Sequence, residues 1–280
     1  MNQLSIQQIQ GNLRDALYAA KLAKAYQFER SKRDPVYFAG IAGLQHPDEW
    51  QKEVLQWVIS GQKQDLILNC GRQTGKSTIA AHLAVWVAIF IPKSLILLVS
   101  PSLRQSSELF RKVRDILEVI KIPLELDEDN MLSCKFSNKS RIVSLPGTER
   151  TVRGYSGAKL IIEDESARVA DEYYMTIRPM LAVSGGKLIM MSTPFGKRGH
   201  FYNDWNAKDD NTLHRIQITA DQCPRIPKEF LERERKKVGE WWFNQEYMCI
   251  FNEAIDSVFN YETIMAAITS DVKPLFKVEM

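Results

Sequence analysis

Apolar runs and helix-period patterns take turns along this chain. Short runs at Asp65–Cys70, Leu95–Ser100, Arg141–Leu145, Lys159–Glu163, Lys187–Ser192 and His214–Ile218 have the length and aliphatic content of buried strands. Between them, Lys76–Phe90, Leu103–Ile120, Asp171–Leu181 and Gly199–Trp205 carry helical patterns. Strands alternating with helices predict crossover connections, and hence an α/β fold with a mainly parallel sheet sandwiched by helices. Further helical patterns occupy Asn12–Ser31 and Pro47–Ser60 upstream, and Lys228–Val238 and Trp241–Tyr247 downstream. The chain therefore divides into a helical arm over residues 1–43, an α/β core over 44–220, a C-terminal helical piece over 221–259 and a tail over 260–280. The two helical flanks are expected to form a small lid.

Composition narrows the class. With 280 residues, 45% hydrophobic and 25% charged, the chain can bury a full core as an ordinary globular protein. A formal charge of +3 is too small to argue for nucleic acid by itself. The greasiest region, Leu83–Val99, is interrupted by Pro92-Lys93 and reads as a buried helix followed by a buried strand, so no membrane partner is expected. The first ten residues are mostly polar and do not read as a signal peptide. Cys70, Cys134, Cys223 and Cys249 form no C-x-x-C pair, which points to reduced thiols rather than a zinc knuckle or a disulfide scaffold.

One stretch carries most of the chemistry. "LILNCGRQTGKST" ends in Gly75-Lys76-Ser77, the close of a phosphate-binding loop, but the usual G-x-x-x-x-G-K-[ST] pattern has glycine where this chain has Cys70. Such a loop must leave a buried strand and open a helix, because converging N–H groups and the helix N-terminus hold the anion. Leu66–Leu68 supply the strand and the residues from Thr78 supply the helix. Gly71, one place later than usual, is expected to provide the permissive φ. The loop Gly71, Arg72, Gln73, Thr74, Gly75, Lys76, Ser77 and Thr78 thus reads as a nucleotide site, with Lys76 on the β- and γ-phosphates and the Ser77 hydroxyl on Mg²⁺; the resemblance given below makes the nucleotide ATP. Arg72 reads equally as a γ-phosphate contact or as a loop brace.

The second half of such a site is a strand that ends in acids, and "KLIIEDESA" provides one. Ligands bind at the C-terminal ends of strands in open α/β sheets. Asp164 is expected to hold Mg²⁺ and Glu165 to orient the attacking water, although the register leaves Glu163-Asp164 open as the pair. The site also needs a cation for transition-state charge, which contributes about 10³–10⁵ in rate. Candidates are Arg72, Arg104, Arg150, Arg153 and Arg198; Arg153 stands before a glycine in the loop leading to the acids, a position that makes it a candidate and no more. "MMSTP" ends another apolar strand with Ser192-Thr193, hydroxyls placed to sense the γ-phosphate or simply to cap the strand. In "DEWQKEV", Gln51 is a candidate reader of the adenine edge beside Trp50; a buried tryptophan with a surface glutamine fits the same letters.

These pieces in this order resemble the ATPase domain of the large terminase subunit, the DNA-packaging motor of tailed bacteriophages and herpesviruses. The resemblance rests on "PDEWQ", "CGRQTGKST", "VSPSLRQSSELF", "LPGTERTVRGYSGAKLIIEDESA", "MMSTPFGKRGHFYNDW" and "WWFNQEYMCIFNEAIDSVF", and covers roughly Pro47 to Phe259. It includes the unusual loop, since G-R-Q-x-G-K-[ST] is typical of terminases. The resemblance implies a RecA-like P-loop fold, with Gln51 on adenine, Lys76 on phosphate, Asp164 on metal and Glu165 as the catalytic acid. It further implies Ser192-Thr193 as a coupling motif, Arg153 as a finger reaching a neighbouring subunit, and Arg72 in phosphate sensing. The implied partners are double-stranded DNA, a portal protein, the small terminase subunit and other copies of the chain in a ring, with a monomer as the alternative for an isolated domain. The implied location is the host cell cytoplasm, transiently at the procapsid portal. Lys197, Arg198 and the run Arg233–Lys237 are candidate contacts to DNA phosphates, and equally readable as solvated faces. Family members carry an RNase H-like nuclease domain after the ATPase; here the chain ends at Met280, near the start of the linker, so an ATPase portion without nuclease activity is expected.

Two rival readings share the motifs. A DExx-type helicase or translocase fragment needs a second RecA-like domain, for which there is no room after Ser192. An ATP-binding switch without steady turnover has less need of Glu165.

Overall fold

The computed structural model describes residues 6–61, 65–120, 125–146, 154–207, 209–253 and 266–267, with side chains in the first helix from residue 14 onward. Three helices come first: α1 (Ile6–Arg33), α2 (Pro35–Ile41) and α3 (Glu49–Trp57). The alternating part follows as β1 (Asp65–Cys70), α4 (Lys76–Phe90), β2 (Leu95–Ser100), α5 (Leu103–Val119), the hairpin β3 (Leu126–Asn130) and β4 (Ser133–Phe136), and β5 (Arg141–Pro146). After these come β6 (Ala158–Asp164), α6 (Asp171–Ile177), β7 (Lys187–Ser192), α7 (Gly199–Asn206), β8 (Leu213–Ile218), α8 (Lys228–Val238) and α9 (Glu240–Glu246).

Among the described residues, eight strands form one sheet in the order β3-β4-β5-β2-β6-β7-β1-β8. The pairings from β5 to β8 are parallel, and the hairpin joins β5 antiparallel at one edge. Strands β1, β2 and β7 are buried from their second residue onward, as near-continuous apolar runs in a two-sided sheet must be. Helix α4 is buried on nearly every face, so its uniform hydrophobicity reflects a place inside the protein rather than in a membrane. No described helix is long and apolar enough to cross a membrane.

The pattern missed two kinds of element. Strand β3 is exposed throughout and β4 turns only Cys134 and Phe136 inward; a polar edge hairpin is held by ladder hydrogen bonds, not by an apolar run, and its acids discourage further strand pairing. The predicted helix Asp171–Leu181 ends at Ile177 and continues as a 3-10 turn, Arg178–Leu181, containing Pro179. Helix α2 is a separate element because Pro35 sits at its first turn, with the Asp34 carboxylate accepting from the N–H groups of Val36 and Tyr37 at 3.0 and 2.9 Å.

The helical flanks meet the core at different places. Phe38 and Ala39 join the main core with Phe28 packed beside them, and Trp86 Nε1 donates to the Ser31 carbonyl at 2.8 Å. The C-terminal helices build their own small cluster around Ala220, Leu231 and Phe243. That segment is stitched to the end of β1 and the loop after it: Asn69 Nδ2 donates to the Cys249 carbonyl at 2.9 Å and the Arg72 N–H to the Glu246 carbonyl at 2.8 Å.

Candidate active site

The loop after β1 is a tight turn closed by the Thr74 hydroxyl, which donates to the Gly71 carbonyl at 2.9 Å. Gly75 precedes α4 in the left-handed region, φ 99°, where a side chain is disfavoured. Gly71 does not occupy that region, contrary to expectation; the positive φ values in the loop fall on Gln73 (63°) and Gly75. Glycine is needed at 71 for space, because a β-carbon there would lie 2.7 Å from the Tyr247 carbonyl oxygen and 3.0 Å from Ala220 N. The N–H groups of Gly71 and Arg72 are committed to the carbonyls of Ile218 and Glu246, both at 2.8 Å. Cys70 ends the strand as a fully buried thiol, which burial pushes up to about 12.

Behind the loop, Arg225 donates to the Thr74 carbonyl and to Asp48, each at 2.8 Å. Gln51 is buried, its Oε1 accepting from Asp48 N–H at 2.9 Å, and its Nε2 would stand 2.9 Å from a β-carbon at Gly75. Gln51 therefore caps α3 and packs close beside the loop at Gly75. Trp50 and Asp48 line a neighbouring cleft of about 840 Å³ with Ile216, Ile218 and Pro224.

Register brings the loop and the acids together. Strand β7 lies between β1 and β6, pairing Asn69 with Ser192 and Met191 with Asp164, so the three strands end at one edge. Lys76 Nζ meets Glu165 Oε1 at 2.9 Å, with both side chains mostly buried. Ser77 Oγ donates to Asp164 Oδ2 at 3.2 Å, and Glu165 N–H donates to Asp164 Oδ1 at 3.0 Å. Burial pushes the Asp164 carboxyl up to about 6 against the pull of Lys76. Burial also disfavours the Lys76 ammonium, but Glu165 and Asp164 outweigh it and hold its pKa above the ordinary value.

Glu165 itself sits at φ 54°, ψ 40°, a left-handed conformation that costs a non-glycine residue about 1–3 kcal/mol and is concentrated at functional sites. Glu163 goes elsewhere: fully buried, it accepts from the Ser166 hydroxyl and lies 2.9 Å from His200 Nε2, whose other ring nitrogen is 3.0 Å from Asp171. Of the two registers open in the sequence, the geometry brings Asp164 and Glu165, not Glu163 and Asp164, to the loop.

Two of the five candidate arginines, Arg150 and Arg153, lie outside the described residues. Arg104 and Arg198 are exposed, the latter over the Phe195 ring at 5.0 Å. Arg72 lines the site and pairs with Glu246. An arginine that the sequence reading passed over is more central. Arg168 NH1 donates to Glu165 Oε2 and to Thr193 Oγ1, both at 3.1 Å, and its NH2 approaches Glu246 Oε1 at 3.4 Å. Arg72, Gln73, Lys76, Gln105, Glu165, Arg168 and Thr193 enclose a cavity of about 300 Å³. Ser192 is buried and donates to the Thr193 carbonyl at 2.7 Å, so the hydroxyl facing the site is that of Thr193. Thr78 lies inside the first turn of α4. Lys197 pairs with Glu253 at 3.3 Å and Arg235 with Glu240 at 2.6 Å, leaving neither as a bare cation.

Arg168 and Glu246 were overlooked because charge letters beside an acidic strand end and inside an aromatic helix carry no spacing rule. The one available signal for Arg168 was its place three residues after Glu165.

The architecture and the site can be set beside known proteins. A comparison with curated proteins finds no match. The fold superposes on the large terminase ATPase domain of Thermus phage P74-26 with a TM-score of 0.64 and 21% identity, over 78% of this chain and 98% of that one. It superposes on the ADP complex of the large terminase from a thermophilic bacteriophage with a TM-score of 0.63 and 14% identity, over 73% of this chain and 54% of that one. For the HK97 bacteriophage large terminase the TM-score is 0.54 at 17% identity, over 79% of this chain and 46% of that one. The chain thus spans the Thermus phage domain and about half the length of the other two proteins. The model of the T4likevirus-type terminase large subunit, N-terminal part, matches residues 67–265, and the chain belongs to that family.

Proposed function

We propose that this chain binds ATP with Mg²⁺ on the loop after β1 and hydrolyses it, and that hydrolysis drives double-stranded DNA into a procapsid. The observation that carries the reading is the Lys76–Glu165 pair at 2.9 Å, which joins a phosphate-loop lysine to an acid from a strand two places away in the sheet. With the N–H of Gly71 committed to the end of β8 and that of Arg72 to the C-terminal segment, the phosphate cradle is formed by the N–H groups from Gln73 to Ser77 and the N-terminus of α4. Lys76 adds its charge at the β- and γ-phosphates.

The residues fit Mg²⁺. The Ser77 hydroxyl and the Asp164 carboxylate, 3.2 Å apart, are oxygen donors at the mouth of the loop. The described residues contain no cluster of three or more His, Cys, Asp or Glu able to cage a metal, which suits an ion held by one or two protein oxygens and by substrate phosphates. Mg²⁺ bound there neutralises phosphate charge. Glu165 then orients the attacking water, once Lys76 turns from its carboxylate to the phosphates. Arg153, from an adjacent subunit, completes the charge around the transferred phosphate. Gln51 positions the base side of the loop, next to the cleft lined by Trp50.

The membership of a terminase family supports the wider setting: a ring of copies on a portal protein, supplied with DNA through a small terminase subunit, in the host cytoplasm. DNA contact would fall on phosphates, independent of base sequence.

Steady-state phosphate release by wild type, Lys76→Ala and Glu165→Gln, each with Mg²⁺ and with excess chelator, tests the reading. Wild type turns over only with Mg²⁺. Glu165→Gln still binds ATP but loses at least about 10²-fold in turnover, and Lys76→Ala loses binding. Equal turnover by Glu165→Gln and wild type would sink the proposal in favour of another catalytic acid, and ATP binding by wild type without turnover would favour a switch.

A further inference from the structure

Glu163 stands directly before the two acids of the site and takes no part in it. Its side chain is fully buried. The Ser166 hydroxyl donates to Glu163 Oε2, and His200 Nε2 lies 2.9 Å from the same oxygen and 3.0 Å from Ser166 Oγ. His200, on α7, is fixed in turn by α6. Its backbone N–H donates to Asp171 Oδ1 at 2.7 Å, its Nδ1 lies 3.0 Å from that oxygen, and the Tyr174 ring stacks on it at 4.2 Å. Ser166 and His200 are buried as well. Three elements, β6, α6 and α7, thus converge on one hydroxyl, that of the residue after Glu165.

Such a cluster is a poor source of stability. Taking a carboxylate and an imidazole out of water costs much of what their attraction returns, and apolar side chains of similar size commonly do as well. What a buried, directed pair can supply instead is one fixed arrangement. Here that arrangement bears on a strained residue. Glu165 is left-handed, φ 54° and ψ 40°, and a non-glycine residue stays there only where its surroundings over-determine it. Before the turn, the Glu165 N–H is held by Asp164 Oδ1 at 3.0 Å. After it, the chain is pinned through the Ser166 hydroxyl. Resting on the hydrolysis reading above, we infer that Glu163, Ser166 and His200 are positioning residues that hold this turn and so aim the Glu165 carboxylate at the attacking water. Without the Ser166 anchor the turn relaxes toward the favoured backbone regions, and the carboxylate swings away from the terminal phosphate. The phosphate loop and Lys76 are untouched, so turnover falls while nucleotide affinity stays.

Steady-state phosphate release and calorimetric titration with ATPγS·Mg²⁺, both on the whole chain, test this. Ser166→Ala removes only the hydroxyl. It lowers kcat by about ten- to a hundredfold, the effect of misplacing a reacting group by roughly 1 Å, and keeps ATPγS affinity within about twofold of wild type. Ser140→Ala is the structural comparison: Ser140 is also buried, and its hydroxyl donates to the Ile91 carbonyl at 3.0 Å where β5 begins, at the opposite end of the strands. It loses stability in urea unfolding but keeps kcat. His200→Gln serves if Ser166→Ala folds poorly, and shows the same separation of kcat from affinity. The inference is overturned if Ser166→Ala keeps the wild-type kcat, if it loses kcat and affinity together, or if Ser140→Ala loses as much kcat; in each case an inactive Glu165→Gln leaves the hydrolysis reading standing. Glu165→Gln as fast as wild type overturns that reading, and the inference with it.

Discussion

Replacing Gly71 by alanine adds a single methyl group at the seam between the loop and the C-terminal segment. The backbone at 71 is not left-handed, so alanine is conformationally allowed, and fewer unfolded conformations would favour the folded state by about 0.4–1 kcal/mol. The contact opposes this. The new β-carbon would lie 2.7 Å from the Tyr247 carbonyl oxygen and 3.0 Å from Ala220 N, where 3.4 Å is ordinary contact, so the oxygen must retreat about 0.7 Å. Both neighbours are backbone atoms, so neither can rotate away. The retreat pulls on the Ala220-to-Tyr247 and Arg72-to-Glu246 hydrogen bonds, each 2.8 Å now. Overpacking of this kind costs about 1–3 kcal/mol, which exceeds the entropic gain and leaves a net loss of about 1–2 kcal/mol. Gly40 provides the contrast. It lies within α2 and a β-carbon there meets nothing within 4 Å, so Gly40→Ala should stabilise by about 0.5–1 kcal/mol. Urea unfolding followed by tryptophan fluorescence compares the two variants with wild type. If Gly71→Ala proves as stable as wild type, or if both alanines shift the midpoint in the same direction, the described packing of residues 220 and 247 on the loop is wrong.

Further expectations follow from the proposed function and from the packing of the described residues. ATP hydrolysis per subunit should rise with protein concentration, and Arg153→Ala should abolish it; a concentration-independent rate with a mild Arg153→Ala effect would move the finger into the same chain. His200 is packed between Glu163 and Asp171 with Tyr174 stacked on its ring at 4.2 Å; burial alone would lower its pKa, but the two carboxylates outweigh it and raise it. A raised folded-state pKa means the stabilisation is complete below the unfolded value of about 6.5 and is lost as pH rises through the folded value. His200→Gln should therefore flatten the fall of unfolding free energy above about pH 6.5, measured by urea titrations at stepped pH; an unchanged slope would remove His200 as its source. All four cysteines are buried, and burial pushes the thiols of Cys70 and Cys134 up to about 12. A water-soluble disulfide reagent should react with the native protein only as it unfolds, and rapid native-state labelling would contradict the burial of Cys70 at the loop.

Local chemistry was enough for much of this protein. The bounds of β1, β2, β7, α4 and α8 follow from their own residues, because an apolar run between polar breaks, or a helix opened by a glycine turn, needs no distant partner to be recognised. The loop at Gly71–Ser77 and the acids after Ile162 were legible for the same reason, as short spacings with one chemical use. The polar hairpin β3–β4 was not, since its residues adopt a strand only because β5 offers an edge. Nor could alternation choose between Glu163 and Glu165, which share one face in an ideal strand. The left-handed turn at Glu165 breaks that alternation, sending one carboxylate to His200 and the other to Lys76. The bond from Arg168 to Glu246 joins residues 78 apart, and that from Arg72 to Glu246 residues 174 apart. Such pairs exist only once the C-terminal helices have docked on the loop, because a charge has no preferred partner along the chain and takes the one that packing brings within reach.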